Sequence, residues 1–158
     1  MDRVNRILRD EGYLSHLKKI KILEAERRFC RHDIEHFLDV CRIAWILNLE
    51  QDLHLEKELV YAAGLLHDIG RWVQIENGQD HAEASSVLCK EILMRCGFET
   101  EEMEQIQEAI QKHRTEMDGS SLVKVVYKAD KLSRKCFACP VIGECKNYNP
   151  GDDPWLIY

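Results

Sequence analysis

No proline interrupts the first 139 residues, and through most of them apolar side chains recur at intervals of three and four. Proline ends or kinks a helix, and this interval is the helical repeat, so the chain is constrained towards an all-α fold; strand-type alternation is scarce. The pattern predicts a helix over residues 13–28 with Leu14, Leu17, Ile20 and Leu23 on one face, and a second over 32–49 with Val40, Ile43, Ala44 and Leu47 inward. Further helices are expected over 55–67, 80–96, 100–113 and 121–135. Gly97 would stop the fourth, and Thr100 would cap the fifth with Glu101 and Glu102 set against its dipole. Residues 70–79, with Gly78, read as a loop, and Asp118-Gly119-Ser120 as a turn. All three prolines and three of the seven cysteines fall after residue 135. The organisation expected is one helical domain, residues 1–135, followed by an irregular Cys-containing tail, 136–158.

The most unusual local feature is the pair His67-Asp68. It closes the apolar stretch Leu59-Val60-Tyr61-Ala62-Ala63-Gly64-Leu65-Leu66 and is followed by Ile69-Gly70-Arg71. Ionisable side chains against a hydrophobic run cost several kcal/mol unless a partner satisfies them, and a metal ion satisfies an imidazole and a carboxylate together. The two oxygens of Asp68 would allow it to bridge two metals while His67 holds one. Other such residues share inward faces. His36 precedes Val40, Ala44 and Leu47 by four, eight and eleven residues; His113 follows Ile106 and Ile110 by seven and three. Asp130 continues the stripe of Val123, Val126 and Tyr127, and His81 begins a face continued by Ser85, Leu88 and Ile92. Taken singly, each histidine reads as a hydrogen-bonded core residue and Asp130 as the partner of a lysine. Together they supply four imidazoles and two carboxylates, a donor set suited to transition metals.

In order and context these residues resemble the HD-domain superfamily of metal-dependent phosphohydrolases: His36-x-x-x-Val40-x-x-x-Ala44, then Ala62-Ala63-Gly64-Leu65-Leu66-His67-Asp68-Ile69-Gly70-Arg71, then Tyr127-Lys128-Ala129-Asp130-Lys131-Leu132. The resemblance implies an all-α HD bundle in which His36, His67, Asp68 and Asp130 hold a first metal. His81 and His113 look like the additional pair of the dinuclear branches, sharing Asp68 with a second metal. The chain lacks the Gly-Tyr-Pro motif of the cyclic-dinucleotide phosphodiesterases and carries Lys112-His113-Arg114 where they have adjacent histidines. Residues 122–130 are more similar to the small stand-alone branch that cleaves diadenosine tetraphosphate, the YqeK-like enzymes, although the continuation Lys131-Leu132-Ser133-Arg134 departs from it.

The expected activity is therefore hydrolysis of a phosphoric ester or anhydride in a small phosphorylated, nucleotide-like substrate. Two divalent ions (Fe, Mn, Co, Ni or Zn) about 3.5–4 Å apart would activate a bridging hydroxide. Arg71, beside the His-Asp pair, is the expected catalytic cation, with Arg114, Lys131 and Arg134 as further substrate contacts; each also reads as an ordinary surface cation. His32, one turn before His36, reads as a substrate contact or proton donor, or as a part-exposed histidine at a helix start. The same ligands would serve a mixed-valence di-iron oxygenase of HD type, and a nucleotide-binding sensor without turnover is a further alternative.

With 22 basic and 28 acidic residues the chain carries a net charge of −6, which disfavours nucleic acid and anionic membranes as partners. No segment reaches the roughly 20 apolar residues of a membrane span, and the charged start Met1-Asp2-Arg3 lacks a signal-peptide core. With an odd number of cysteines, four scattered singly, these features give a reduced, cytoplasmic protein as the expectation. The pattern carries no signal for an oligomeric state. In the tail, Cys136, Cys139 and Cys145 supply three thiols for a zinc or iron–sulfur site, with Cys30 or Cys41 as fourth ligand, or remain free or disulfide-bonded. The apolar end Trp155-Leu156-Ile157-Tyr158 is expected to pack on the domain or on a partner chain.

Overall fold

The structure, a computed structural model, describes residues 1–114, 119–149, 151 and 154–158. Eight α-helices are present among them: α1 (Asp2–Ile7), α2 (Glu11–Leu23), α3 (Ile34–Glu50), α4 (Lys57–Leu66), α5 (Arg71–Asn77), α6 (His81–Cys96), α7 (Thr100–Lys112) and α8 (Ser121–Leu132). Two single-turn 3-10 helices follow, Cys136–Ala138 and Ile142–Glu144, and no strand occurs among the described residues. The fold is an all-helical bundle. None of its described helices is long and apolar enough to cross a membrane.

Helix starts follow from side chains that satisfy orphan amide groups. Asp10 accepts from Tyr13 N–H, Asp33 from His36 N–H, and Asp80 from Ala82 and Glu83 N–H. The start of α7 differs from expectation: Glu99, not Thr100, is the cap, and it forms a reciprocal capping box with Glu102. α6 ends where expected, with Gly97 in the left-handed region at φ 85°.

The core lies where α3, α4, α7 and α8 meet, with α6 packed against α7. Phe37, Val40 and Ala44 from α3, Leu65 and Leu66 from α4, Ile106 and Ile110 from α7, and Val126 from α8 are buried in it. α3 and α4 approach closely because Gly64 has no side chain. A Cβ there would lie 3.2 Å from Cys41 Cα and 2.7 Å from its Sγ.

The segment expected as a loop, 70–79, contains α5. Seven residues between two glycines give a weak periodic signal; tertiary packing supplies the rest. Val73 is buried, and Trp72 donates Nε1–H to His16 Nδ1 at 3.1 Å while Lys19 Nζ sits 3.7 Å from the indole centroid. α1 is an addition to the expected set, pinned by Arg3 pairing with Glu58 on α4 and Glu102 on α7. The first expected helix stops at Leu23 and is peripheral. It buries Tyr13 and Ile20, one narrow stripe, while Leu14 and Leu23 are 48% and 38% exposed. The last expected helix ends at Leu132. At the terminus Trp155, Leu156 and Ile157 are exposed, whereas Tyr158 packs on the core and donates its hydroxyl to Glu50. The expected turn at Asp118-Gly119-Ser120 falls partly outside the described residues, since Asp118 is not among them.

Gly70 is the tightest point near the His-Asp pair. A Cβ on it would meet Ser85 N at 2.4 Å and Ala84 C at 2.8 Å, both backbone atoms that cannot swing away. Gly70→Ala is expected to lower stability by about 1–3 kcal/mol through overpacking. Chemical denaturation of the metal-free protein checks this; an unchanged midpoint would mean that α5 and α6 separate at no cost.

Candidate metal centre

The helix ends deliver the ionisable residues to one place. His36 lies in the first turn of α3 and His81 is the first residue of α6, while His67 and His113 are the residues that terminate α4 and α7. Asp130 enters from the last turns of α8. After His67 the chain leaves the helix through a turn closed by Arg71 N–H donating to Asp68 O at 2.9 Å, which carries it into α5. His67 and Asp68 can therefore both face the centre although they are adjacent. His67, Asp68, His81, His113 and Asp130 are all buried, and His36 is nearly so.

Two overlapping donor groups result: His36, His67, Asp68 and Asp130 form one, Asp68, His81 and His113 the other, the donor atoms of each within 4.8 Å of one another. Asp68 belongs to both and divides its oxygens between them. Its Oδ2 lies 3.4 Å from His67 Nε2, whereas Oδ1 lies 3.2 Å from His81 Nε2 and 3.5 Å from His113 Nε2. Asp130 Oδ1 lies 3.7 Å from His36 Nε2 and 3.9 Å from His67 Nε2.

The residues fit metal ions by the criterion of their hydrogen bonds. Each of the four rings spends Nδ1 outward. His67 Nδ1 donates to Gly64 O at 2.8 Å, His113 Nδ1 to Ile110 O at 2.6 Å, and His81 Nδ1 to Gln74 Oε1 at 2.8 Å. His36 Nδ1 faces Ser133 Oγ at 3.3 Å, whose own O–H donates to Asp130 O. A proton held on Nδ1 leaves Nε2 as a lone pair aimed inward, the arrangement that orients metal-binding imidazoles. Three buried lone-pair atoms without a hydrogen-bond partner lie at the same place, His36 Nε2, His67 Nε2 and Asp68 Oδ1; beside them is Arg71 Nε, a donor that cannot ligate, and elsewhere Tyr13 Oη. Unsatisfied buried polar atoms are rare in folded proteins and need a partner of another kind.

Electrostatics point the same way for His36 and His81, and at His67 show the pull of two carboxylates on a proton whose place a metal ion would take. Burial, reinforced by His67, pushes His36 down to about 4, and burial pushes His81 down to about 4 against the opposing charge of Asp68. Both rings are neutral at pH 7 and able to ligate. His67 moves upward: burial would lower it, but the charges of Asp68 and Asp130 outweigh burial. Asp68 and Asp130 are likewise held below the usual carboxylate range against the desolvation that would raise them, with His67 the chief cause. Two buried carboxylates held ionised need positive charge beside them, which a bound cation would supply.

The expected cations take different positions. Arg71 is largely buried at the edge of the second donor group, its guanidinium donating to Gln74 and standing 3.3 Å from His81 Nδ1. Lys131 Nζ pairs with Asp130 Oδ2, and Arg134 lies 3.5 Å from the same oxygen, so both flank the first group. Arg114 is half exposed and turned onto Asp80, the cap of α6.

Glu24, at the end of α2, was not expected at the site. It is buried, accepts from His32 Nδ1 at 2.7 Å and His32 backbone N–H at 2.8 Å, and lies 3.6 Å from Arg71 Nε. This grip turns His32 Nε2 inward to 3.5 Å from Asp68 Oδ2. Burial raises the Glu24 carboxyl, but its bond to His32 overrides that and holds it low. In sequence Glu24 belongs to the charged run Glu24-Ala25-Glu26-Arg27-Arg28, which looks like a solvated surface.

A family profile described as HD domain matches residues 33–135, a span that includes all six metal-donor residues. An uncharacterized protein of Clostridium beijerinckii (strain ATCC 51743 / NCIMB 8052) is 44% identical over 153 residues, covering 97% of this chain and 95% of that protein. No solved structure matches the chain significantly.

Because Asp68 alone spans both groups, its replacement should empty both. Asp68→Ala is expected to abolish bound divalent metal, whereas His81→Ala should weaken only the second ion, leaving about one metal per chain. Elemental analysis of the purified variants, corrected for metal held by cysteines, decides it; full occupancy in the Asp68 variant would sink the bridging role.

Proposed function

Because the chain belongs to the HD-domain family, we propose that it is a metal-dependent phosphohydrolase or phosphodiesterase acting on a small phosphorylated, nucleotide-like substrate. The observation that supports this reading most is the division of Asp68 between two imidazole groups, each ring already anchored through Nδ1. Two divalent transition ions held by these residues would supply Lewis acidity, activating water near neutral pH and neutralising charge on phosphoryl oxygens.

The remaining roles belong to the chain's own side chains. His36, His67 and Asp130, with Asp68, would hold one ion; His81 and His113, with Asp68, the other. Arg71 is placed to orient an anionic group beside the second donor set, with a guanidinium suited to two-point contact with phosphate. Lys131 and Arg134 add positive charge on the opposite side, next to Asp130. Two ligand carboxylates against two divalent cations leave the centre cationic, which draws an anionic substrate despite the chain's net charge of −6.

His32 is the proton donor in this reading. Glu24 accepts the Nδ1 proton, so in the imidazolium form the Nε2–H is presented towards the centre, where it can deliver its proton to a leaving oxygen and leave a neutral ring. Glu24 positions the ring and the nearby Arg71 without touching substrate itself.

The direct test is elemental analysis together with phosphate release from a panel of nucleotides, with and without added manganese or iron. Metal-stimulated release of phosphate is expected. Two irons per chain with no release from any substrate would overturn the hydrolase reading in favour of iron-dependent oxygenation. Within an active preparation, His32→Gln should retain its metals and lower kcat by about 100-fold or more, the usual contribution of general acid catalysis. Arg71→Ala should act mainly on KM. If His32→Gln keeps full kcat, the proton comes from elsewhere.

A further inference from the structure

Beyond α8 the chain makes two single-turn 3-10 helices, each followed directly by a cysteine. Cys136 opens the first 3-10 turn, and Cys139 N–H donates to Cys136 O at 3.2 Å. Ile142 N–H then donates to Cys139 O at 3.4 Å, and Cys145 N–H to Ile142 O at 2.9 Å. Residues three apart eclipse in 3-10 geometry, so Cys136 and Cys139 share a side. The second turn, Ile142–Glu144, leads directly into Cys145.

The connection between α2 and α3 lies against this tail. Arg28 forms a two-point ion pair with Glu144, at 3.0 and 2.8 Å, and Glu144 immediately precedes Cys145. Two residues after Arg28 stands Cys30, its carbonyl fixed by Arg27 Nε–H at 2.6 Å. The Cys136 thiol is raised by burial first, then by Cys30, with Cys145 and Cys139 adding to it and Arg134 opposing. No three of these sulfurs lie within 4.8 Å of one another, so a bound metal would have to draw them together. None of the four is in a disulfide. Cys41, the other potential fourth thiol, is buried in the core and donates to Tyr61 O at 3.3 Å.

We propose that Cys30, Cys136, Cys139 and Cys145 form a four-thiolate site for a soft metal centre, a zinc ion or an iron–sulfur cluster, which clasps the tail to the α2–α3 connection. Four cysteine sulfurs are the donor set of structural zinc and of iron–sulfur clusters, and thiolates prefer such metals over the harder ions suited to carboxylates. On binding, each thiol loses its proton to solvent, and attraction to the cation offsets the mutual repulsion of the thiolates so formed. The clasp ties together two segments that lead into the His/Asp centre: Cys30 stands two residues before His32, and Cys136 six residues after Asp130.

The site is separable from the His/Asp centre, and the test uses that. Full-length Asp68→Ala protein, purified without oxygen, should retain about one zinc per chain, or iron with acid-labile sulfide and visible thiolate-to-iron absorption; these two signatures tell ion from cluster. Adding Cys30→Ser or Cys139→Ser should remove that metal. Because a serine variant can misfold, alkylation mapped by mass spectrometry on the otherwise native chain gives an independent readout. The four thiols should be protected together and become reactive together on chelation. The proposal is overturned if the double variants keep the same metal, if the four thiols alkylate freely at independent rates, or if intact mass shows a disulfide among them and no metal.

Discussion

A carboxylate buried between two sets of imidazoles organises this molecule. Asp68 is almost wholly excluded from solvent, and ionised groups in that position are costly unless fully partnered. Its partners come from different helices. His67 is its chain neighbour, His81 begins α6, and His113 ends α7, so the oxygens are served only when these termini meet. The supporting bonds have the same logic. Every ligand imidazole directs Nδ1 to an oxygen acceptor of the fold, which fixes both ring orientation and the nitrogen available inward. Gly64 lets α3 come close enough to α4 for His36 to stand beside His67, and Gly70 lets α6 come close enough for His81 to reach Asp68.

Much of this was readable from the chain. The five helices that carry the donors, α3, α4, α6, α7 and α8, declare themselves by periodicity. The donors declare themselves as polar residues in apolar stripes, as with Asp130 after Val123 and Val126. What was not readable depends on tertiary contact. α1 and α5 have six and seven residues, too few to show a repeat, and they exist as helices because Val4, Ile7, Val73 and Trp72 find a surface to pack on. Glu24 is the clearest example at the site. Nothing local distinguishes it from Glu26 two residues later. Only the fold of the α2–α3 connection, which returns His32 over the end of α2, makes one carboxylate buried and the other exposed.

Charge shows the same separation between the whole chain and its parts. The net charge of −6 describes the far field, while the centre is bordered by Arg71, Lys131 and Arg134. These cations lie against acidic partners, Glu24 or Asp130, and so are held in place by residues of the site itself. An acidic protein can thereby hold positive charge at the rim of its centre, because within a nanometre or so local charges dominate over those screened by salt.

The donors span the chain from His36 to Asp130, and no two except His67 and Asp68 are neighbours in sequence. A disordered chain therefore contains no fragment that reproduces either group, and ions held there would favour the assembled bundle. Thermodynamic linkage then works in both directions: at a free concentration one hundred times its dissociation constant, an ion adds about 2.7 kcal/mol to the folded state. Conversely, a substitution anywhere in the core that populates unfolded chains releases ions in proportion. Occupancy of such a centre would be a built-in gauge of the integrity of the whole bundle, so that metal scarcity and thermal stress would become the same perturbation.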